Sequence, residues 1–421
     1  MKAILWGINY SPEATGIAPF NAELAEYLAG EESEISVVTG FSYYPHWRKA
    51  PQDRWRLFRT EQINGVKVIR CAQYVPEKVS TLRRIVHELS FGLSSLVRVL
   101  FMPRADVYII VGPPLFLGFC GWIVTVLKHS RFIFHIQDLQ PGAAVELGMV
   151  KGRAFIRALY ALEKFVYAHA AAVSGISAGI IDELERKGVP ARKRIYFPNW
   201  LRNTSEISVP QGEFRRRFDI PVDHFLAVYS GNLGRKQGID ILVETAERLA
   251  GARVTLVIAG AGAEREGLAE RVGILNLPHL RLMPLLDDET YALMLNDADV
   301  GLITQASGTG KYFFPSKLLT LLQAGLPVAT VADSDSELAR AVAEGGFGLN
   351  VIPGRAEDLA AALSRMSADS KLRQLLRERT QWVQRFRPNF VLPQFAAHLE
   401  SIVGETGGRG EIVGEREPSS I

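Results

Sequence analysis

Short apolar runs rich in β-branched residues alternate with helix-length amphipathic stretches along the whole of this 421-residue chain. This alternation is typical of βα units built around parallel sheets. It predicts strands in the first half at 2–8, 35–39, 66–70, 107–111, 132–136, 170–174 and 195–197. In the second half it predicts strands at 226–230, 253–259, 280–282, 300–303, 328–331 and 348–351. We therefore expect an α/β protein with two doubly wound parallel-sheet domains.

The same pattern predicts where helices and domains begin and end. Amphipathic stretches at 239–250, 357–366 and 390–403 predict helices. Polar turn formers without periodicity at 199–212 mark a junction between the two domains. We predict a first domain at 1–200, a second at 201–386, a last helix at 387–403 that packs back on the first domain, and a disordered tail at 404–421.

Residues 107–127 are almost uninterruptedly apolar and long enough to span a bilayer. However, Gly112, Pro113 and Pro114 interrupt the segment, and lipid tolerates such a break only with special compensation. We therefore predict a buried strand followed by a helix at 115–127.

Residues 81–101 form a second segment with one apolar helical face. That face carries Leu82, Ile85, Val86, Leu89, Leu93, Leu96, Val97 and Leu100. Its opposite side carries Arg83, Arg84, His87, Ser94 and Arg98. We predict a helix whose apolar face packs on the core and whose back is solvated. A helix lying on a membrane surface has the same pattern and stays as the alternative.

Composition narrows the class of protein. A net charge of +3, from 48 basic and 45 acidic residues, lacks the basic excess of nucleic-acid-binding proteins, so we expect no nucleic-acid partner. The two cysteines, Cys71 and Cys120, lie in apolar strings and exclude a disulfide framework. The N-terminus lacks the pattern of a signal peptide. We expect a cytoplasmic protein.

Ligands of doubly wound folds bind outside the carboxyl ends of the strands, so the loops that follow the strands carry the candidate residues. The loop after the first strand contains Tyr10, Thr15 and Gly16 and leads into a helix. Free N–H groups at that helix start would suit a phosphate or a polar sugar. The loop lacks the dinucleotide fingerprint, which argues against a dehydrogenase. An ordinary βα turn is the alternative.

His135 and Asp138 follow the fifth predicted strand. At a strand end both side chains can face a cleft. There, His135 would hydrogen-bond a sugar hydroxyl, and Asp138 would accept a proton or orient the imidazole. A structural histidine with a backbone partner is the alternative.

The loop that opens the second domain is the most informative of these loops. It follows a strand, precedes a helix and contains Gly231, Asn232, Gly234, Arg235, Lys236 and Gln237. Its glycines let the backbone approach an anion closely, and its two cations suit a diphosphate. A solvated turn with two surface cations is the alternative.

A second basic turn follows at 311–317. Pro315 and Ser316 fit a helix start, which places Lys317 in the first turn of that helix. A cation there opposes the helix dipole, so its presence favours a bound phosphate; a tolerated surface lysine is the alternative. The acidic string at 333–337 resembles a metal site, but we favour helix capping and expect no metal.

The loop sequences resemble those of a known family. GNLGRKQG, PSK and AGLPV of the second half resemble the donor half of the retaining GT-B glycosyltransferases of family 4. In the first half, GINYSPEATGI, YYPHW, YVPEKVSTLRR, HIQDLQ and FPNW resemble the colanic acid biosynthesis fucosyltransferase group. The resemblance covers residues 1–403.

The resemblance implies a bacterial exopolysaccharide enzyme with an acceptor-side first domain and a donor-binding second domain. It would move a sugar, with fucose from GDP-fucose as one candidate, onto a polyprenyl-diphosphate-linked saccharide at the inner face of the membrane. In the family an Arg and a Lys of the glycine loop hold the diphosphate. Here those positions carry Asn232 and Gln237, so Arg235, Lys236 or Lys317 must do that work. The family's ribose-binding Glu aligns with Thr320 and its partner acid with Tyr312, which leaves the choice between GDP and UDP open.

The expected mechanism uses His135, Asp138 and Lys317 as catalytic residues, with the loop cations stabilising the leaving diphosphate. It needs no metal and no cofactor besides the nucleotide sugar. Two other interpretations remain. One is a nucleotide-sugar 2-epimerase, and the other is a catalytically silent nucleotide-sugar-binding partner of a polysaccharide assembly complex.

Overall fold

The structure is a computed structural model. It describes residues 1–13, 16–31, 33–44, 47–78, 80–139, 152–201, 209–310 and 315–404. The described strands form two sheets, and each belongs to one half of the chain.

The first sheet has the strand order β3-β4-β2-β1-β5-β6-β7-β8. Its strands are β1 Lys2–Trp6, β2 Glu34–Gly40, β3 Phe58–Ile63, β4 Val66–Cys71, β5 Val107–Gly112, β6 Arg131–Ile136, β7 Ala172–Gly175 and β8 Arg194–Tyr196. All neighbours run parallel except β3, which pairs antiparallel with β4. The seven predicted strands are confirmed.

Strand β3 was not predicted. It is an edge strand of mostly polar residues, FRTEQI, whose side chains alternate between exposed and half-buried, so it lacks the apolar run of a buried strand. The Asn64-Gly65 pair, which joins β3 to β4, is the feature of the sequence that indicates this hairpin. Both residues have positive φ, 48° and 82°, as a two-residue hairpin turn requires.

The second sheet is parallel throughout, in the order β11-β10-β9-β12-β13-β14. Its strands are β9 Phe225–Asn232, β10 Val254–Ala261, β11 Leu280–Met283, β12 Val300–Thr304, β13 Val328–Val331 and β14 Gly348–Val351. All six match the predicted positions.

Helices cover both faces of each sheet. Those of the first half are α1 Ala18–Gly30, α2 Thr81–Leu100, α3 Leu115–Lys128, α4 Arg153–His169 and α5 Ala178–Arg186. Those of the second half are α6 Glu213–Arg217, α7 Asp240–Arg248, α8 Arg265–Leu275, α9 Asp288–Asp297, α10 Lys317–Gln323, α11 Glu337–Gly345, α12 Ala356–Ala368, α13 Ser370–Glu378 and α14 Pro388–Gly404.

Local chemistry sets several of the helix starts. The side chains of Ser80, Ser177, Asp287, Ser336 and Asp369 each accept a hydrogen bond from the backbone N–H three residues later. Such caps satisfy one of the free N–H groups at a helix start and contribute about 1 kcal/mol each.

The apolar segment at 107–127 has the structure expected of it. Every residue of β5 is buried, the chain turns at Pro113 and Pro114, and α3 packs behind the sheet. Cys71 and Cys120 are buried free thiols. Within the described ranges, no helix combines the length and the apolar composition needed to cross a bilayer.

The prediction that α2 turns its apolar face toward the core is wrong. Leu82, Leu93 and Val97 are 71%, 56% and 50% exposed. The buried side of α2 is the opposite one, with His87, Phe91, Gly92, Ser95 and Val99. Small residues explain this choice: a Cβ atom at Gly92 would lie 2.7 Å from the Phe116 ring, so only glycine lets α2 approach α3 so closely.

The last helix, α14, packs against the first sheet's outer layer although it follows the second domain in sequence. Val391, Leu392, Phe395 and Leu399 are buried in one core with residues of α1. The rings of Phe395 and Phe197 stack with centroids 3.8 Å apart at an interplanar angle of 8°. Of the tail predicted at 404–421, all but Gly404 lies outside the described residues.

We expect Phe395→Ala to lower the free energy of unfolding by about 3–5 kcal/mol, because it removes a buried ring and leaves a cavity. Chemical denaturation followed by fluorescence measures the change. Phe390→Ala is the matched control: Phe390 lies on the same helix but is 54% exposed, so its loss should cost no more than about 0.5 kcal/mol. Equal effects of the two variants would contradict the packing described for α14.

Candidate functional site

Glycines shape the turn that follows β9. Gly231 has φ 136°, a conformation that side chains rarely adopt. A second glycine turn, after β10, packs directly on the turn that follows β9; it was not predicted. A Cβ atom at Gly260 would lie 2.0 Å from the Gly231 carbonyl oxygen, and one at Gly262 would lie 2.2 Å from the Leu233 carbonyl oxygen. The string AGAGAE directly after a strand was the available signal.

Lys317 opens α10 as predicted, and its ammonium group lies against this glycine turn. A Cβ atom on Gly231 would be 3.1 Å from Lys317 Nζ. The ammonium also sits over the Tyr229 ring, 3.9 Å from the centroid. Burial lowers the pKa of Lys317 to about 7. No carboxylate of the described residues pairs with it, so an anion at the turn would find a partly desolvated cation in place.

Lys236 and Asp138 bring the two domains into electrostatic contact. Burial raises the pKa of the Asp138 carboxyl, and the charges of Lys236 and Arg84 offset part of that rise. Burial lowers the pKa of Lys236, and Asp138 opposes that change. The loop after β6 of the first sheet and the loop after β9 of the second sheet therefore face each other.

Arg235 points away from this meeting point. Its side chain is 89% exposed, and its Nε lies 3.4 Å from Glu264 Oε1. The three-residue turn at Arg235–Gln237 explains the difference from Lys236, because successive side chains of a 3-10 turn point about 120° apart. An exposed pair of this kind contributes little to stability.

Other residues of the loop shape its backbone. Asn232 Nδ2 lies 3.5 Å from Gln237 Oε1, and a Cβ atom on Gly234 would come within 3.1 Å of both side chains. The Lys236 carbonyl oxygen accepts hydrogen bonds from Ala306 N at 2.9 Å and Thr309 Oγ1 at 3.3 Å. The segment after β12 thus holds the backbone of the glycine loop in place through these two hydrogen bonds.

The acidic string at 333–337 caps backbone groups, as predicted. Asp333 accepts from Ser307 Oγ at 2.9 Å and Gly308 N at 2.7 Å, and Ser336 caps α11. Glu337 accepts from Ala178 N at 2.9 Å and Gly179 N at 3.1 Å, at the start of α5 in the other domain. Among the described residues, no three or more His, Cys, Asp or Glu side chains are placed to hold one metal ion.

Comparison with known proteins identifies the family. The model of the glycosyl transferase 4-like domain matches residues 15–200, and that of glycosyl transferases group 1 matches residues 210–382. The chain is 32% identical to the putative colanic acid biosynthesis glycosyl transferase WcaI of Escherichia coli K12, over 80% of this chain and 85% of that protein. The chain belongs to the group 1 glycosyltransferases.

Solved structures show the same fold. The sucrose-phosphate synthase of Thermosynechococcus elongatus superposes with a TM-score of 0.74 at 19% identity, over 96% of this chain and 99% of that one. HepE of Anabaena in complex with UDP-glucose superposes with a TM-score of 0.68 at 14% identity, over 95% and 100%. This glycosyltransferase has the GT-B fold predicted from its sequence.

His135 of this glycosyltransferase is buried and hydrogen-bonded within the protein, which favours the structural alternative over the catalytic role. Its ring is 3% exposed. Gln137 Nε2 donates to its Nε2 at 2.9 Å, so Nδ1 carries the proton and donates to Ser174 Oγ, also at 2.9 Å. Burial lowers the pKa of His135 to about 3. A neutral imidazole with both nitrogens engaged inside the protein has no free atom for a sugar.

The Tyr10 side chain is buried in the core and is not exposed at the loop where a ligand was expected. It is 1% exposed and belongs to the core beside α1. Gly16 lies in the turn before α1 with φ 69°, while Thr15 lies outside the described residues. In the donor half, Ser316 is exposed and Thr320 half-buried, while Lys311 and Tyr312 lie outside the described residues.

Glu13 organises the first loop and was missed. Its buried carboxylate accepts from Tyr43 N at 2.8 Å, Tyr44 N at 3.0 Å and Asn9 Nδ2 at 2.8 Å, which ties the loops after β1 and β2 together. Next to it, the rings of Tyr43 and Trp47 pack on His87 with centroids 4.6 Å and 5.3 Å away. These contacts place an aromatic cluster beside Arg84 of α2.

A cavity of about 480 Å³ lies at the other end of the second sheet, next to Phe225 and Asp299 at the strand starts. Its arginines are engaged by the protein: Arg215 bonds to Asp299 at 2.9 Å, and Arg373 bonds to the Met366 and Ser367 carbonyl oxygens at 2.6 Å. We assign no role in the chemistry to this cavity, because its position is opposite to that of the loops.

We expect donor affinity to fall as the pH rises above about 7, because the Lys317 ammonium of the free enzyme loses its proton around that pH. Isothermal titration calorimetry on both sides of this pH measures it. Lys317→Met should weaken binding about tenfold to hundredfold, the loss of one charged hydrogen bond, and should flatten the pH profile. Lys317→Arg, which stays charged, serves as the control and should also give a flat profile. An unchanged slope in Lys317→Met would exclude this lysine.

We expect His135→Ala to lower the free energy of unfolding by about 2–4 kcal/mol without changing donor affinity. His135 binds its proton below pH 6.5 when unfolded but only near pH 3 when folded, so it reduces stability as the pH falls between these values. The variant should lose less stability over that range in acid denaturation. His169→Ala, at an exposed position of α4, is the control. A stable His135→Ala enzyme without turnover would restore the catalytic role.

Proposed function

We propose that this enzyme transfers a sugar from a nucleotide-sugar donor to a lipid-linked saccharide in the synthesis of a colanic-acid-like bacterial exopolysaccharide. The observation that carries the proposal is the Lys317 ammonium, half-buried and without a carboxylate partner among the described residues, beside the Gly231 backbone. The similarity to WcaI supports the pathway, and fucose from GDP-fucose is the donor that the resemblance favours.

The donor diphosphate would lie between the glycine turn and two lysines. Gly231 keeps the backbone open on the side of Lys317, and Lys236 supplies a second cation from the same loop. Two cations in a partly dehydrated site match the two charges of a diphosphate diester. That the fold neighbour HepE binds UDP and UDP-glucose supports a nucleotide-sugar donor here.

The transfer itself would proceed with retention. The bond between the anomeric carbon and the diphosphate oxygen breaks, and the acceptor oxygen bonds to the same carbon from the same face. The acceptor proton passes to an oxygen of the leaving diphosphate. Lys317 and Lys236 stabilise the negative charge that builds up on that leaving group, so no metal is required. Asp138 faces Lys236 and would orient the donor sugar.

The acceptor saccharide would bind on the first domain. The half-buried Trp47 ring, which packs on the buried rings of Tyr43 and His87, offers an apolar surface to a sugar next to Arg84. Arg84 acts electrostatically on both Asp138 and Lys236, so the cluster adjoins the proposed transfer site. The enzyme would work on the cytoplasmic side of the membrane, where nucleotide sugars and carrier lipids meet.

A thermal-shift panel of GDP- and UDP-sugars tests the donor, because a ligand that binds the folded state raises its melting temperature. We expect one base to give a clear shift, and that donor to support transfer to a polyprenyl-diphosphate-linked saccharide in EDTA. Lys317→Met should reduce turnover in the same assay. Formation of an epimer from the donor alone would contradict transfer, and complete Mg²⁺-reversible loss in EDTA would overturn the metal-independent chemistry.

A further inference from the structure

His87 is a buried histidine of the first domain with a partner for only one of its ring nitrogens. It lies on α2 and is 1% exposed. Its Nδ1 is hydrogen-bonded to the Tyr74 carbonyl oxygen, which places the proton on Nδ1 because a carbonyl oxygen can only accept. Its Nε2 is buried and has no hydrogen-bond partner among the residues that the structure describes. A buried lone pair without a donor is rare in a folded protein and favours a missing ligand.

Contacts of α2 hold the His87 ring in this orientation. Tyr74 N donates to Ser90 Oγ at 2.8 Å, and Ser94 Oγ donates to the Ala72 carbonyl oxygen. The helix thus binds the segment that contains Tyr74 at two further points. The bond of Nδ1 is therefore fixed, and Nε2 is the nitrogen that a ligand would use.

The surroundings of His87 keep its ring neutral. Burial lowers the pKa of His87 to about 4, and the charges of Arg84 and Lys49 lower it as well, against the effect of the Tyr74 hydrogen bond. At neutral pH, Nε2 is therefore an acceptor of hydrogen bonds and not a donor. An ionised carboxylate or a phosphodiester has no proton to offer it, whereas a hydroxyl group has one. The ligand group that fits Nε2 is a hydroxyl.

An aromatic ring packs on the same histidine. The ring centroids of Trp47 and His87 are 5.3 Å apart, and Trp47 is half-buried whereas Tyr43, the other ring against His87, is buried. The Trp47 backbone has φ 52°, a left-handed conformation that is unfavourable for a bulky residue and is concentrated at ligand-binding sites. A ring for the apolar face of a sugar and an acceptor for one of its hydroxyls together form a saccharide subsite.

We propose that His87 Nε2 accepts a hydrogen bond from a hydroxyl group of the acceptor saccharide, and that the Trp47 ring moves from the histidine onto the sugar when the saccharide binds. Nε2 is buried in the free protein, so a ligand reaches it only when a covering group moves. Trp47 is suited to this movement because its ring is half-buried and its backbone is strained. The inference rests on the proposed function, since it identifies the acceptor subsite of that reaction.

The subsite adjoins the proposed transfer site. Arg84 lies one helical turn before His87, and its charge acts on His87 as well as on Asp138 and Lys236. A saccharide bound at His87 would therefore lie close to the donor. In this arrangement His87 binds and orients the acceptor, while the acceptor proton still passes to the leaving diphosphate.

Nitrogen-15 NMR of the histidine side chains tests the tautomer in the full chain. The chain contains eight histidines, and the resonances of His87 are identified by their absence from the spectrum of His87→Gln. We expect a protonated Nδ1 and an unprotonated Nε2 at pH 7. A protonated Nε2, alone or in a doubly protonated ring, would refute the proposal.

Two substitutions separate the role of Nε2 from that of Nδ1. In His87→Asn the side-chain amide can still donate to the Tyr74 carbonyl oxygen, but nothing replaces Nε2. In His87→Gln the amide oxygen can take the place of Nε2, but the bond to Tyr74 is lost. We expect His87→Asn to raise the KM for the acceptor about threefold to tenfold, the loss of one neutral hydrogen bond, with donor affinity unchanged. His87→Gln should melt at a lower temperature and yet keep a KM within about twofold of the wild type.

His279→Asn is the matched control. His279 is a buried histidine of the second domain, 8% exposed, and its Nε2 lies 2.8 Å from the Ala246 carbonyl oxygen. The control should lower the melting temperature without raising the KM for the acceptor. A normal KM in His87→Asn together with a raised KM in His87→Gln would assign His87 a structural role, and an equal rise in the control would do the same.

The wild-type protein separates this inference from the proposed function. Absence of transfer from every GDP- and UDP-sugar would defeat the proposed function. The His87 Nε2 resonance then decides the inference by itself, with methyl glucoside and methyl galactoside added in the absence of a donor. We expect at least one of these glycosides to shift the resonance, and a resonance that neither glycoside moves would exclude the subsite.

Discussion

The proposed chemistry depends on one arrangement, in which a lysine ammonium is held between an aromatic ring and a glycine backbone. Lys317 cannot move far from Gly231, because Tyr229 lies on its other side and donates its hydroxyl to the Asn232 carbonyl oxygen at 2.8 Å. The partial removal of water from the ammonium makes it a weaker base and a stronger partner for an anion. The glycines after β9 and β10 make this possible, since any side chain at Gly260 would collide with the turn.

The contact between the two domains is made by residues of α11, close in sequence to a residue that holds the donor loop in place. The carboxylate of Glu337 binds the free N–H groups at the start of α5, and Arg340 lies 3.3 Å from Asp182 beside it. Asp333, four residues before Glu337, holds the segment that supports the glycine loop. The domain contact and the donor loop are thus linked through one short stretch of chain.

The strand positions of both sheets could be predicted because buried parallel strands are continuous apolar runs. Such a pattern says little about an edge strand, and so β3 was missed. Helix periodicity locates an apolar face but not the direction in which it points; the small residues Gly92 and Ser95 decided that for α2 by allowing close packing on the other side. The site shows the same limit. Lys317 was recognisable from its place at a helix start, whereas Ser174, which binds the His135 ring, comes from β7, 39 residues away in sequence.

The chain passes between the domains twice, and the two passages touch. Leu201 N donates to the Phe386 carbonyl oxygen at 2.7 Å, so the outgoing chain contacts the returning chain at this point. The C-terminal helix therefore begins beside the point where the chain first leaves the first domain, so a rotation of one domain against the other would bend the chain at a single place.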